Sequence, residues 1–539
     1  QSSMQHAFIE YIYLILIILG LVMLSQKLKI SYLIVLVLGG LVLSFTSPFS
    51  HVTIDPELIF FIFLPPLLYE AAWQTSWKEF YKWRRVIMSF AFPIVILTSC
   101  VVAVVTNALI PGFTLALGFL LGGIVSPPDA ISATSIMRNV NATKSLVSIA
   151  EGESLLNDAS SLIVFRFAVV AVGTGQFVFQ EALGDFFLVI VLGAIIGLAI
   201  GLVFFAIHRF LPTTPSMDIV LSFITPYSMY YFAELFHFSG VIAVVSGGLL
   251  LSNQRQKMLT HLSRVQGTNV WSTVGFVLNG LVFLLIGLQL PNIVDQLEDI
   301  SLSMAIWYGV IISLVLIVAR LLCTLGASVF TVFISRYITV ADANPGWKSP
   351  LVLGWAGMRG VVSLAMALSI PVFTGEEQPF PQRNLILFIT FVVILITLVF
   401  QGLTLPWLIR TLKLEHRGMT PQKQESIILR KLAKTSLGFL QEKYGDTVNG
   451  NEHVRLMHSK LNKELEFFSL EETDTLTADK NPMMQHQLIS LQMVEEQRQL
   501  LHKMNRHSEF DEDLIRKYLA LLDLEETKLR EKLPEGYKV

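Results

Sequence analysis

Five carboxylates stand in stretches of sequence that are otherwise almost wholly apolar. Glu70 closes the run Phe61-Ile62-Phe63-Leu64-Pro65-Pro66-Leu67-Leu68-Tyr69-Glu70, and Asp129 follows Ser126-Pro127-Pro128. Glu151, Glu153 and Asp158 fall within Glu151-Gly152-Glu153-Ser154-Leu155-Leu156-Asn157-Asp158. Arg166, Arg320 and Arg359 are the cations in comparable surroundings. An ionisable group in mid-bilayer costs about 2.5–3.5 kcal/mol on the insertion scale, so such groups persist as mutual partners or along an ion pathway. On a helix Ser154 and Asp158, four residues apart, share one face, and Glu153 and Asn157 share the next. Prolines at 127 and 128 break a helix and free carbonyls beside Asp129. Two carboxylates, a hydroxyl and freed carbonyls are hard oxygen donors, the kind that small cations prefer. The same carboxylates take protons, the more readily when buried or beside another carboxylate. A centre that is either protonated or cation-loaded exchanges the two by competition. Arg359 is expected to neutralise Glu153, holding Asn157 and the broken helices in place. Arg166 and Arg320 remain open between helix-to-helix glue and tuning of the local field.

Composition says what must position these groups. The 539 residues are 53% hydrophobic and only 15% charged, with mean hydropathy +0.61. Soluble chains carry about 25% charged residues, so a soluble enzyme and a disordered chain are both excluded. Before Leu414 there are 20 Lys and Arg and 19 Asp and Glu; from Leu414 onward there are 19 and 22. A long body poor in charge therefore precedes a short, highly charged tail. Apolar runs recur at 8–25, 30–46, 57–74, 84–110, 114–137, 145–173, 182–208, 218–235, 238–252, 270–290, 303–335, 348–371 and 384–411. About thirteen transmembrane helices are thus expected. With the N-terminus outside, fourteen Lys and Arg, from Lys27 to Lys348, fall in inner loops, and only Arg383 falls in an outer one. That bias predicts a multi-pass protein with its N-terminus out and its tail in the cytoplasm. No basic residue precedes the first run, so no secretory leader is expected.

The fifth run, with its paired prolines, and the twelfth, Gly354-Trp355-Ala356-Gly357-Met358-Arg359-Gly360, are interrupted. They are seven spans apart, an odd offset that inverts their orientation. Interrupted helices at matching positions of two halves point to an inverted-repeat secondary transporter. On the seventh run Gly193, Gly197 and Gly201 permit close helix approach, and packing inside the fold is the reading preferred over a dimer contact.

Four ordered motifs carry a resemblance: Phe63-Leu64-Pro65-Pro66 through Glu70-Ala71-Ala72, Ser126-Pro127-Pro128-Asp129, Gly152-Glu153-Ser154-Leu155-Leu156-Asn157-Asp158, and Gly357-Met358-Arg359-Gly360. To about Leu414 the chain resembles the monovalent cation–proton antiporters, in their sodium/proton exchanger branch. The resemblance implies an all-α polytopic fold: a thirteen-helix inverted repeat with crossed, unwound fifth and twelfth helices. It implies a core domain moving against a dimerising scaffold, hence a homodimer in the plasma membrane serving pH homeostasis. Asp158 is implied as the main cation and proton carrier, with Asp129, Ser154 and Glu70 as further cation ligands and Glu153 and Arg359 as a structural pair. Asn157-Asp158 matches the pair associated with electroneutral exchange. Where many members read Thr-Asp-Pro-Val, this chain reads Pro128-Asp129-Ala130-Ile131, which removes a threonine hydroxyl and leaves selectivity among sodium, lithium and potassium open.

Residues 1–413 are therefore expected to form the antiporter domain and 414–539 a cytoplasmic helical tail for regulation or assembly. Ser469–Pro482 reads as a linker, and His453, His458, His486, His502 and His507 are candidates for sensing pH. The expected function is secondary exchange of a monovalent cation, sodium first, for protons. Potassium/proton exchange and ion-coupled symport of an organic solute are the alternatives. A channel is disfavoured because no filter-like loop is present. No cofactor is expected: Gly-Lys occurs nowhere, so there is no phosphate-binding loop. Cys100 and Cys323 lie in apolar runs and form no CxxC motif. An enzyme and a nucleic-acid binder are not expected.

Overall fold

A computed structural model describes residues 2–46, 59–175, 179–295, 297, 300–334, 346–374, 378–414, 421–470, 482–504 and 512–531. Contacts divide the chain into two units, Gln1–Arg417 and Gly418–Val539. In the first unit the helices begin with α1 (Ser2–Leu28), α2 (Tyr32–Ser44), α3 (Leu64–Gln74), α4 (Trp77–Ser89), α5 (Val95–Leu109), α6 (Leu115–Val125) and α7 (Ala130–Asn139). They continue with α8 (Lys144–Thr174), α9 (Phe179–Phe210), α10 (Pro215–Leu235), α11 (Gly240–Met258), α12 (His261–Leu288), α13 (Leu290–Asp295) and α14 (Leu302–Ile334). They end with α15 (Lys348–Trp355), α16 (Val361–Leu368), α17 (Arg383–Ile396) and α18 (Gly402–Thr411). A two-residue antiparallel pairing, Phe373–Thr374 with Gln378–Pro379, interrupts the helical pattern.

Local sequence accounts for many of the boundaries. Thr114, Ser239 and Thr260 cap α6, α11 and α12 by accepting backbone N–H bonds from Leu117, Ile242 and Ser263. Gly175, at φ 67°, ends α8 in the left-handed conformation that glycine tolerates best. Pro93 lies in a π-helical turn, Phe90–Ile94, that joins α4 to α5 without ending the rod. A second such turn, Thr397–Gln401, joins α17 to α18.

The apolar runs fall on helical segments within the described residues. Seven stretches are long and apolar enough to cross a membrane: Trp77–Leu109, Leu115–Asn139, Lys144–Thr174, Gly184–Phe210, His261–Asp295, Leu302–Phe333 and Arg383–Thr411. Ile12–Leu28 and Tyr32–Ser44 are apolar but shorter. Among the rest, α15 and α16 are too short because a loop divides them, and α11 runs into the polar end Ser252-Asn253-Gln254-Arg255-Gln256-Lys257. The chain is a multi-pass, all-helical membrane protein.

Glycine sets the closest helix contacts. A Cβ on Gly40 of α2 would overlap the Leu284 carbonyl of α12, and one on Gly287 would overlap the Val37 carbonyl. On α9, Gly193 and Gly197 press on the Ser239 and Ala243 carbonyls of α11, and Gly201 faces Gly247. The glycine string therefore packs inside the chain. Near the ends of α9, α10 and α12, His208 Nδ1 lies 2.7 Å from Asp218 Oδ1, and Ser263 donates to Asp218 Oδ2 at 2.7 Å.

The second unit holds α19 (Pro421–Gly450), α20 (Glu452–Leu470), α21 (Pro482–Met504) and α22 (Glu512–Glu531). Packing pairs α19 with α20 and α21 with α22. Arg498 of α21 bonds Asp523 (2.9 Å) and Glu526 of α22, and this hydrogen bonding, joined by Arg530, holds the Glu526 carboxyl below its ordinary pKa. Most of the Ser469–Pro482 linker, and His507, lie outside the described residues.

Valine at Gly197 or Gly287 should destabilise the protein by about 1–3 kcal/mol or prevent folding, because the methyl groups meet backbone. Gly326→Ala, which has open space beside it, should melt like the parent. Thermal unfolding in detergent reads the contrast; equal melting of all three variants would refute the packing argument.

Candidate functional site

The break in α6–α7 and the break in α15–α16 meet. The Asp129 backbone N–H donates to the Met358 carbonyl at 2.7 Å, so the unwound segments join through main chain. Arg359 completes the junction. Its Nε donates to the Val125 carbonyl at 2.8 Å, a second nitrogen donates to the Gly357 carbonyl, and its backbone N–H donates to Thr397 Oγ1 at 3.1 Å. Thr397 stands in the π-helical turn after α17, and its hydroxyl in turn donates to the Val393 carbonyl at 2.7 Å. Where helices unwind inside a membrane protein, backbone groups must find partners within the protein. Here much of that need is met by the other broken helix and by one guanidinium.

Asp129 itself caps α7: Oδ1 accepts from the Ile131 N–H at 3.1 Å and Oδ2 from the Ser132 hydroxyl at 2.8 Å. Gly360 lies against this carboxylate, and a Cβ there would come within 2.5 Å of Oδ2. Asn157 of α8 donates its amide N–H to the Pro128 carbonyl at 3.0 Å. The carbonyls expected to be free for a cation are therefore partly engaged: Val125 by Arg359 and Pro128 by Asn157.

Glu70, Asp129, Ser154 and Asp158 line one cavity of about 490 Å³. The α6–α7 break, α8, the start of α16, the beginning of α2, α3 and α12 all contribute to its lining. Glu70 takes a hydrogen bond from Gln74 at 2.8 Å and packs against Gly275, where a Cβ would overlap its carboxylate. Arg138, which also lines the cavity, pairs with Glu151. Among the described residues no ion pair engages Glu70, Asp129 or Asp158. Three carboxylates without a paired cation make the cavity attractive to cations and repellent to anions.

The expected Glu153–Arg359 pair is not formed. Glu153 pairs with Arg320 of α14 at 2.8 Å, each side chain only 2% exposed, while Arg359 directs Nε and one terminal nitrogen to backbone carbonyls. The reason is geometric: unwinding around Arg359 leaves carbonyls within its own reach, whereas Arg320 enters from a neighbouring helix. Arg166, the other open case, pairs with Glu234 of α10 at 2.7 Å. Asn157 and Glu153 lie behind the cavity, on the face of α8 next to that of Ser154 and Asp158.

A family model described as sodium/hydrogen exchanger, transmembrane, matches residues 13–411. The chain belongs to the sodium/hydrogen exchanger family. It is 34% identical over 383 residues to a sodium, potassium, lithium and rubidium/H(+) antiporter of Bacillus pumilus, a match covering 69% of this chain and 56% of that protein. The chain thus spans little more than half the length of that relative. It is 33% identical over 414 residues to the low-affinity Na(+)/H(+) antiporter NhaS1 of Synechocystis, covering 75% of this chain and 74% of that protein. Among solved structures, the sodium proton antiporter MjNhaP1 of Methanocaldococcus jannaschii matches with TM-score 0.60 at 18% identity, covering 76% of this chain and all of that one. At that identity the likeness speaks for the fold.

Sequence reasoning did not assign a role here to Arg320, Gly275 or Gln74. Arg320 stands out in the sequence as a cation in an apolar run, without a partner named for it; nothing local marks the others. Removing one partner of a buried ion pair costs about 3–5 kcal/mol, because the other charge stays buried. Glu153→Gln and Arg320→Gln should each lose about that much, and the double variant should recover part of it. Melting temperatures in detergent test this; single variants as stable as the parent would refute the pairing.

Proposed function

We propose that this exchanger performs the sodium/proton antiport of its family by letting one cation and protons compete for the carboxylates of a single cavity. The observation that carries the reading is the grouping of Asp158, Asp129, Ser154 and Glu70 in that cavity, with no cation among the described residues paired to the three acids. Asp158 is the main carrier: its side chain lines the cavity, and no side chain among the described residues donates to its carboxylate. Asp129 is held in place as a helix cap, Ser154 adds a neutral oxygen one turn from Asp158, and Glu70 adds a carboxylate from α3. Asn157, Glu153 and Arg359 support the junction behind them. One sodium replacing one proton at Asp158 is electroneutral exchange. The same oxygens accept potassium or lithium, and the four cations in the name of the Bacillus pumilus relative favour a broad specificity as the second reading.

The larger frame belongs to the same proposal. Thirteen spans form an inverted repeat centred on the two broken helices, with the wall that carries α8 moving against the wall that carries α12 in alternating access. The N-terminus is outside, the tail is cytoplasmic, and the plasma membrane is the site of action. Residues 1–413 form the transporting domain of a homodimer and 414–539 a regulatory or assembly unit.

Proteoliposomes with an interior pH dye test the mechanism. Sodium should drive proton movement in the parent, Asp158→Asn should abolish it, and clamping the membrane potential should leave the rate unchanged. Competition also fixes a sign: as pH falls, more carboxylate is protonated, so the apparent KM for sodium rises while the rate at saturating sodium holds. Above the pH at which the centre is fully ionised, KM becomes constant. A KM independent of pH with a falling maximal rate would refute competition.

A further inference from the structure

One wall of the cavity carries a polar group that the exchange mechanism does not yet use. Ser272, Gly275, Phe276 and Asn279 of α12 all line it. Their spacing, three, one and three residues, places them on one helical face. Gly275 receives the Glu70 carboxylate, and Asn279 stands one turn further along the same face. Phe276 is braced by Tyr32 of α2, ring centroids 5.9 Å apart. Asn279 is 5% exposed, and its buried amide oxygen has no hydrogen-bond partner. A buried acceptor left unpaired is costly, and in a residue that lines the cavity a cation or a water reaching it would offset that cost.

We propose that Asn279 is a cation-selectivity residue, its amide oxygen serving as a neutral ligand to the cation, directly or through one water, as it passes between Glu70 and Asp158. The idea rests on the competition reading above and adds an asymmetry to it. A carboxylate binds a proton and a cation alike, so more carboxylates help both competitors. An amide oxygen coordinates a cation but takes up no proton in the working pH range. Asn279 therefore raises the affinity for the cation without raising that for the proton. Carried on α12 rather than on α8, it also makes the cation reach ligands on separate helices, which bears on discrimination by ionic size.

The test measures cation-dependent proton flux at several pH values, with sodium, lithium and potassium, in the parent, Asn279→Leu and Asn279→Ser. Leucine keeps the bulk and removes the oxygen; serine retains a shorter oxygen should leucine impair folding, which gel filtration and melting would reveal. The expected result for Asn279→Leu is a KM for sodium raised about three- to tenfold. The proton inhibition constant and maximal rate should stay within about twofold, and the order or ratio of the three cations should change. Asn279→Ser should lie between leucine and the parent. An unchanged KM, a fall in maximal rate alone, or equal weakening of cation and proton would overturn the proposal, because each is what a packing role produces. Asp158→Asn run alongside keeps the readings separate: retained flux there would remove the carrier assignment, while the effect of Asn279 is still read from the cation dependence.

Discussion

Two helices unwind inside the membrane unit, and the unpaired backbone this creates is the constraint on which the rest depends. Water in bulk is not available there, and each unsatisfied N–H or C=O costs free energy on the order of a few kcal/mol. The Asp129 N–H to Met358 bond and the Arg359 bonds to Val125 and Gly357 answer that cost. They also hold Asp129 where α7 starts, so that its carboxylate caps the helix and faces the cavity at once. The charge of Arg359 thereby serves the backbone. Glu153 is left to find its cation elsewhere, and Arg320 supplies it.

Charge at the site is graded with distance from the cavity. Lining it, Glu70, Asp129 and Asp158 have no paired cation among the described residues, while Glu151 is held by Arg138. Behind it, Glu153 is paired, and the Asn157 amide ties α8 to the broken helix through Pro128. This division follows the faces of α8: the step from Ser154 to Asp158 looks into the cavity, and the step from Glu153 to Asn157 looks into the protein. A single helix thus separates the groups that line the cavity from those that are bonded inside the protein.

Neighbouring helices are kept close by glycine. Gly40 and Gly287 bring α2 and α12 into backbone contact, and Gly193 and Gly197 do the same for α9 and α11. Gly275 leaves room for the Glu70 carboxylate, and Gly360 for that of Asp129. Where a side chain would fill such a place, either a helix or a carboxylate would have to move.

By itself the sequence determined the class of this protein and singled out the charged residues within its apolar body. Hydropathy over residues 8–411 requires a membrane body, because only long apolar segments lower their free energy in hydrocarbon. The rarity of charge there singles out Asp129, Glu153, Asp158 and Arg359, since each is too costly to keep without use. The 3.6-residue period placed Ser154 with Asp158 and Glu153 with Asn157, and the prolines at 127 and 128 marked a break. Tertiary structure alone decided which groups meet. Arg320 lies 167 residues from Glu153, and local pattern carries no information about a partner on a distant helix. The bonds of Arg359 to carbonyls depend on how far the backbone unwinds, which composition does not specify. Glu70 against Gly275, and the unpaired amide of Asn279, became legible only once α3 and α12 were folded against each other, because a cavity wall is a property of packing.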